Sequence, residues 1–472
     1  MDAPLTPFLR ILIPAIVAVS FLMEQLDATI ITTSVPQMAA SLQVPPLHLN
    51  IAVTAYVLTL AVFMPLSAYL ADRFGAKRIF ILALLMFTIG SGLCGLATSF
   101  SMLVAMRVVQ GLGGAMMTPV GRLILIRSFP RSELVTAMTY MALPAILGPL
   151  LGPVLGGVLT TYLSWRWIFY VNLPFGLLGA VLAARYVTDS ARDPNLKFDY
   201  RGFLLIGAGL ALFQVGLDNV SQPAFPVPVV VLILAVAVGL LVAFGIHALR
   251  ADHPVMNLKL LRQRLFAVGT LAGGICRISV NGTPFLLPLL LQVGFGMSAI
   301  MSGMLVLFAS GGSLIVRSFI GWFLRRLGFG RMLTLVTVAQ IVVIAGFGWL
   351  TATTPLWFIA GYIAVFGFVR SMQFLGSNML SYSDMPDQLL SQATGLFGVF
   401  QQLTVSIGVS FSAMLLGLIS GHGQHLTPGH FGIVFVIMAL LSLIGLPFYV
   451  RLRPEDGAEV SGFGKTASVA GG

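Results

Sequence analysis

The chain has 472 residues, 58% of them hydrophobic and only 9% charged, with a formal net charge of +11. A soluble globular domain carries roughly a quarter charged residues, so this composition excludes a water-soluble enzyme or binding module and places the chain in lipid. In such a chain the basic excess is a matter of loop topology and anionic headgroups, not of nucleic acid, and two cysteines without a CxxC pair imply neither a disulfide framework nor a metal site.

Runs of about 20 apolar residues, the length needed to cross a bilayer as a helix, fall near 9–34, 49–71, 79–98, 100–124, 135–160, 167–186, 202–220, 227–248, 265–291, 299–324, 331–351, 355–380, 393–419 and 430–450. The first run is broken by Glu24 and Asp27 and is followed by no small-residue cleavage site, so it is expected to be the first span and not a removable leader. The connections after even-numbered runs carry Arg73, Lys77 and Arg78, then Arg127 and Arg131, then Arg192, Lys197 and Arg201, then Arg250, Lys259, Arg262 and Arg264, then Arg325, Arg326 and Arg331. The opposite connections hold Arg166. Because positive loops stay in the cytoplasm, both termini are expected inside, as an even number of spans requires. The expected fold class is an all-α polytopic membrane protein of fourteen transmembrane helices.

Along the chain, the polar residues within these runs are the candidates for chemistry. Glu24 and Asp27, three apart, share a face of the first helix. Each ionised carboxylate near the bilayer centre costs about 2.5–3.5 kcal/mol if unpaired, so each needs a cation, a proton or water. Arg107 on the fourth run lies seven residues from that run's outer end, and Asp27 lies seven from Ser34, so both sit roughly 10 Å under the outer surface by the helical rise. Gln110 is one turn further along. Two roles stay open for the Asp27–Arg107 level: proton exchange tuned by the arginine, or a permanent structural ion pair. Between the second and third runs, Asp72 and Arg73 form a charged joint in which Asp72 can bind a helix N-terminus or an arginine only while the inner gate is shut. On the fifth run Gly148, Gly152 and Gly156, four apart, offer a small-residue face for close helix approach, and Pro149 and Pro153 each delete a backbone donor.

Later in the chain, Arg277 and Arg370 lie near mid-depth on the ninth and twelfth runs. No deep acid on runs nine to fourteen can pair with them, so they are expected to engage Asp27 or Glu24, to bind an anionic substrate, or simply to snorkel or cap backbone carbonyls. Asn281, one turn from Arg277, and Gln110 are further candidates for a substrate cavity. His422, His425 and His430 in an outer connection are expected to be solvated loop residues, and no metal site or cofactor is implied.

The sequence after run two, Ala68 to Arg78, matches that after run ten, Gly321 to Arg331, in the spacing of a basic residue, a glycine and a final arginine. Runs one to six therefore correspond to nine to fourteen, with seven and eight an inserted pair. The expected domains are 1–188, 189–250, 251–451 and a disordered cytoplasmic tail at 452–472. Such repeats are the logic of secondary transporters, whose site lies between halves that rock. The segments LADRFGAKR (70–78), RVVQGLGGA (107–115) and GPLLGPVLGG (148–157) resemble signature motifs of the major facilitator superfamily. LDATIITTSVP (26–36) and SWRWIFYVNLP (164–174) are similar to segments of its fourteen-helix drug:proton antiporter branch, so the resemblance extends over the chain to about residue 450.

It implies a major facilitator fold and a proton-coupled antiporter that exports amphiphilic small molecules by alternating access. It further implies a proton-transfer role for Arg107 with Asp27 or Glu24, a gating motif including Asp72, Arg73, Gly75 and Arg78, and an antiporter motif of Gly148, Pro149, Gly152, Pro153, Gly156 and Gly157. The expected partners are protons, membrane lipids and a small amphiphilic substrate, with a monomeric protein and neither ATP nor nucleic acid. The alternatives are an exporter or facilitator of organic anions or metabolites and, from a different class, a transporter-like membrane sensor or scaffold.

Overall fold

A computed structural model describes residues 7–129, 131–188, 197–221, 225–252, 254–421 and 426–458, and these are helical, with no strand among them. The first helices are α1 (Pro7–Ile30), a short amphipathic α2 (Val35–Leu42) that the apolar runs do not announce, α3 (Leu49–Phe74), α4 (Ala76–Gly95) and α5 (Phe100–Ser128). Next come α6 (Arg131–Tyr162), α7 (Trp167–Tyr170), α8 (Asn172–Tyr186), α9 (Tyr200–Ser221) and α10 (Val227–Arg250). The remainder are α11 (Arg264–Ala267), α12 (Gly273–Leu289), α13 (Ala299–Gly346), α14 (Leu356–Tyr382), α15 (Asp387–Ile419) and α16 (Pro428–Val450). Two π-helical turns, Val268–Ala272 and Leu290–Gly294, flank α12.

Local sequence sets the ends. The Ser99 side chain accepts from the Met102 amide at 3.2 Å and caps α5, filling one of the backbone donors a helix start leaves open. Thr427 and His430 form a reciprocal capping box at the start of α16, so His430 has a helix-starting role, while His422 and His425 lie outside the described residues. α3 stops at Gly75, whose φ of 100° suits a residue without a Cβ; α4 consequently begins at Ala76, three residues before the apolar run.

Twelve helical segments among the described residues are long and apolar enough to cross a membrane. One of them, Ala299–Trp349, has 51 residues, about twice the length a bilayer requires. It is interrupted at Gly328 (φ 66°, ψ 173°), inside the basic cluster Arg325–Arg331. α6, with 32 residues, stands outside the twelve and contributes the shorter apolar stretch Leu147–Tyr162. Large apolar side chains are exposed on many helices, and on α10 they include Val227, Val231, Leu232, Val238 and Val242. Such a surface fits hydrocarbon, not water.

The chain divides into two compact units, Met1–Leu210 with Ser298–Gly303, and Ala211–Met297 with Met304–Gly472. In the first, α1 packs on α6 and α8, and α5 packs on α3 and α4. In the second, α12 packs on α15 and α16, over a core that includes Cys276, Phe329, Met332, Met372 and Tyr449. The expected tail at 452–472 falls outside the described residues beyond residue 458.

Candidate functional site

The deepest polar cluster of the first unit is assembled by glycines. A Cβ at Gly111 would lie 2.9 Å from the Tyr56 carbonyl oxygen, and one at Gly113 would lie 2.7 Å from that of Ala83. Those two positions of the RVVQGLGGA segment therefore let α5 press against α3 and α4, which carries Arg107 into the interior. Arg107 is 0% exposed and Asp27 on α1 is 1% exposed. Arg107 Nη1 donates to Asp27 Oδ2 at 2.5 Å and to Gln110 Oε1 at 2.8 Å, and Nε donates to the Ala52 carbonyl at 3.1 Å. Gln110 Nε2 donates to the other carboxylate oxygen, Asp27 Oδ1, at 2.8 Å. The face of the guanidinium lies over the Tyr56 ring, 4.2 Å from its centroid, a cation–π contact that strengthens away from water. Arg107 Nη2 and the Tyr56 hydroxyl have no hydrogen-bond partner among the described residues.

Asp27 is thus arranged as a carboxylate, with a donor on each oxygen and a cation beside it. The equal depths expected from the helical rise correspond to a direct contact. Gln110, assigned from the sequence to a substrate cavity, is instead fully buried in this cluster, where it bridges Arg107 and Asp27 and also accepts from Cys94 Sγ at 3.7 Å.

Glu24, one turn from Asp27, is 5% exposed and has a different setting. Its Oε2 accepts a short hydrogen bond from the Thr118 hydroxyl, and Arg122, one turn along α5, supplies the neighbouring positive charge. Thr118 was not singled out in the sequence, though a signal existed: it follows Arg107 by eleven residues, three turns of a helix, and so shares its face. Tyr56 carries no such signal, since nothing in its spacing points to Arg107.

The glycine face of α6 lies against the same stretch of α1. A Cβ at Gly148 would meet Gln25, one at Gly152 would meet Thr29, and one at Gly156 would meet Ile30 and Thr33. Thr29 Oγ1 reaches the Gly148 carbonyl at 3.3 Å, and Thr33 Oγ1 reaches that of Pro153 at 3.4 Å. Gly157 faces elsewhere, toward Ala299 and Ile300 at the start of α13. Pro149 and Pro153 lie within the continuous helix α6.

At the other end of α3, Asp72 Oδ1 accepts from Arg127 Nη2 at 2.5 Å, joining the α3–α4 joint to the end of α5. Arg73 Nη1 donates to the Tyr69 hydroxyl at 3.0 Å and lies over the Tyr69 and Phe74 rings. Arg78 is exposed.

In the second unit Arg277 is 3% exposed. Its Nη2 donates at 3.4 Å to the Gly269 and Thr270 carbonyls in the π-helical turn, and its guanidinium carbon lies 4.7 Å from the Phe397 centroid. Asn281 Nδ2 donates to Thr404 Oγ1 at 3.4 Å, and Arg370 is half-buried on α14. A further buried carboxylate, Asp218 on α9, accepts from Gln214 Nε2 at 3.0 Å and from the Ser410 hydroxyl at 2.9 Å, while Ser406 donates to Gln214 Oε1 at 2.9 Å. Gln214 and Asp218 on α9, like Ser406 and Ser410 on α15, are four apart, a pattern that could have been found as two facing polar pairs.

A family model described as Major Facilitator Superfamily matches residues 17–409. The MdtD protein of Pectobacterium carotovorum subsp. carotovorum, named as a candidate multidrug resistance protein, is 37% identical over 446 residues, covering 93% of this chain and 95% of its own. Its Escherichia coli counterpart is 36% identical over 446 residues, covering 93% and 94%. Among solved structures, a bacterial homologue of the lysosomal transporter Spinster superposes with a TM-score of 0.64 at 16% identity, covering 94% of this chain and 97% of that one. The nucleoside transporter NupG does so with a TM-score of 0.64 at 14% identity, covering 94% and 100%; at such identities these two speak for the fold alone.

Proposed function

The chain belongs to the Major Facilitator Superfamily, and from that premise we propose that it is a proton-coupled antiporter exporting amphiphilic small molecules by alternating access. As a member it is a transporter of small molecules and not an enzyme, and a multi-pass protein of the bacterial inner membrane. The names of the MdtD relatives support drugs as its cargo. Fourteen spans with both termini cytoplasmic are the topology we infer: the break at Gly328 divides one 51-residue segment in two, and α6 adds another. This count supports assignment to the fourteen-helix drug:proton branch, with the halves 1–188 and 251–451 flanking an inserted pair.

The observation that carries the reading is the buried ion pair of Asp27 and Arg107, 1% and 0% exposed. A proton and Arg107 compete for the same carboxylate. When Asp27 binds a proton, Arg107 loses its counter-charge and must turn toward another acceptor, for which Nη2, unpartnered among the described residues, is available. Protonation is thereby tied to a rearrangement between α1 and α5. Glu24 can serve as the relay, because the Thr118 hydroxyl that donates to its carboxylate can equally accept from its carboxyl, so a proton comes and goes there without an ion pair being broken. The α6 glycine face supports α1 beside both acids, and the Asp72–Arg127 pair acts as the latch of the α3–α4 joint. One charge crossing the membrane potential supplies about 2.3 kcal/mol per 100 mV, enough for roughly a fifty-fold substrate gradient.

In proteoliposomes with an imposed pH gradient, Asp27→Asn abolishes gradient-driven uptake of a fluorescent dye that the wild type transports. Coupled uptake persisting in that variant would overturn the assignment.

A further inference from the structure

The second unit places two guanidinium groups at membrane depth without an anion to match them among the described residues. Arg277 has five N–H donors. Those of Nη2 meet two backbone carbonyls at the long distance of 3.4 Å, while Nε and Nη1, both buried, meet no acceptor among the described residues. The titratable groups beside Arg277 are Tyr449, Cys276 and Tyr382, all neutral as hydroxyl or thiol, and no carboxylate is among them within the described residues. Arg370 is likewise acted on by no charged group among the described residues. The two cations are linked through Phe374: its ring centroid lies 5.8 Å from the Arg277 guanidinium carbon, and it follows Arg370 by one turn on the same face of α14.

Capping the π-helical turn explains one nitrogen of Arg277. A π-helical turn loosens the regular ladder and is frequently found at functional sites, and Nη2 answers the carbonyls of Gly269 and Thr270. That role leaves Nε and Nη1 unexplained, and it says nothing of Arg370. A buried donor without an acceptor is costly, and a buried charge without a partner more so. Aromatic rings lower the cost only in part: Phe397 and Phe374 accept the cation through their faces but offer no acceptor for an N–H. What the group lacks is an anionic oxygen.

We propose that Arg277 is the recognition point for an anionic head, a carboxylate or sulfonate on an aromatic body, of the compound this protein exports, with Arg370 as the second cation that the same ligand engages. The inference rests on the exporter reading and adds the substrate class to it. The body of such an amphiphile packs against Phe374 and Phe397, and its head completes the hydrogen bonds at Nε and Nη1.

The test uses the purified full-length protein and two aromatic dyes of opposite charge, carboxyfluorescein and rhodamine 6G, with binding read by fluorescence anisotropy and flux in proteoliposomes. The wild type binds carboxyfluorescein; Arg277→Gln weakens that binding by about tenfold or more, a shift well above measurement error, and Arg277→Lys weakens it less. Rhodamine 6G affinity is unchanged in both. Arg370→Gln, at a half-buried position, also weakens carboxyfluorescein binding selectively, and saturating carboxyfluorescein raises the unfolding temperature of the wild type, as a ligand of the native state must. These last two readings carry the test should Arg277→Gln fail to fold. No carboxyfluorescein binding by the wild type, an unchanged affinity in Arg277→Gln, or an equal loss for both dyes would overturn the proposal. Binding of carboxyfluorescein without flux of either dye would overturn the exporter reading and leave the anion site standing.

Discussion

Removing charge from the Asp27–Arg107 pair one side at a time separates a coupling site from a structural lock. Asp27→Asn keeps the shape of the side chain and an acceptor for Gln110, but it leaves Arg107, 0% exposed, with the Ala52 carbonyl at 3.1 Å, Gln110 Oε1 at 2.8 Å and the Tyr56 ring as its company. Breaking a buried pair from one side costs about 3–5 kcal/mol, because the other charge stays behind uncompensated. Arg107→Gln strands Asp27 in the same way, with Gln110 Nε2 at 2.8 Å as the remaining donor from the cluster. The double variant carries no stranded charge and can form a neutral amide pair, worth about 0.5–1.5 kcal/mol. Its stability therefore returns to within about 2 kcal/mol of the wild type, giving a favourable coupling energy of several kcal/mol in a double-mutant cycle. The assay pairs thermal unfolding of the purified protein with pH-gradient-driven dye flux in proteoliposomes. All three variants lose coupled flux, whereas the double variant alone regains stability. Recovery of coupled flux together with stability in the double variant would refute the reasoning and make the pair a lock.

Three other outcomes are expected. Gly152→Ala places a Cβ 2.9 Å from Thr29 Cβ and lowers stability by about 1–3 kcal/mol, as overpacking does; Gly361→Ala, where a Cβ meets nothing within 4 Å, serves as the control, and equal unfolding temperatures would contradict close α1–α6 packing. Asp72→Asn breaks the pair with Arg127, whose side chains are 36% and 32% exposed, so stability changes by less than about 1 kcal/mol while turnover in a flux assay falls. An unchanged turnover removes Asp72 from the gate. Asp218→Leu deprives Gln214 and Ser410 of their acceptor and destabilises by about 1–3 kcal/mol, measured as a shift in unfolding temperature; a neutral result would mean that α9 does not depend on that contact.

Much of this was legible in the sequence because lipid simplifies the code. Helix positions follow from apolar length, and Gly75 and Gly328 mark joints where basic clusters already stood. The equal depth of Asp27 and Arg107 followed from helical rise, and the direct contact between them is what the structure adds. Other features were hidden for definite reasons. Gln110 has the same residue type whether it lines a cavity or braces an ion pair, and only the direction of its amide, toward Asp27 Oδ1, decides. Asp218 stands near the end of an apolar run, where a helix-end charge would also stand, yet it is 7% exposed, and one of its hydrogen bonds comes from Ser410 on a helix distant in sequence. The unmet donors of Arg277 are invisible to spacing, since they depend on what is absent around a side chain.

The claim that most of this rests on is that the acids of α1 bear the exchanged proton. Its most direct measurement is proton release on adding a transported dye to the purified protein in weakly buffered solution, followed with a pH indicator. The account predicts release from the wild type and none from the variant carrying Glu24→Gln and Asp27→Asn together, at dye concentrations that saturate both. Release of the same size from that variant would contradict it.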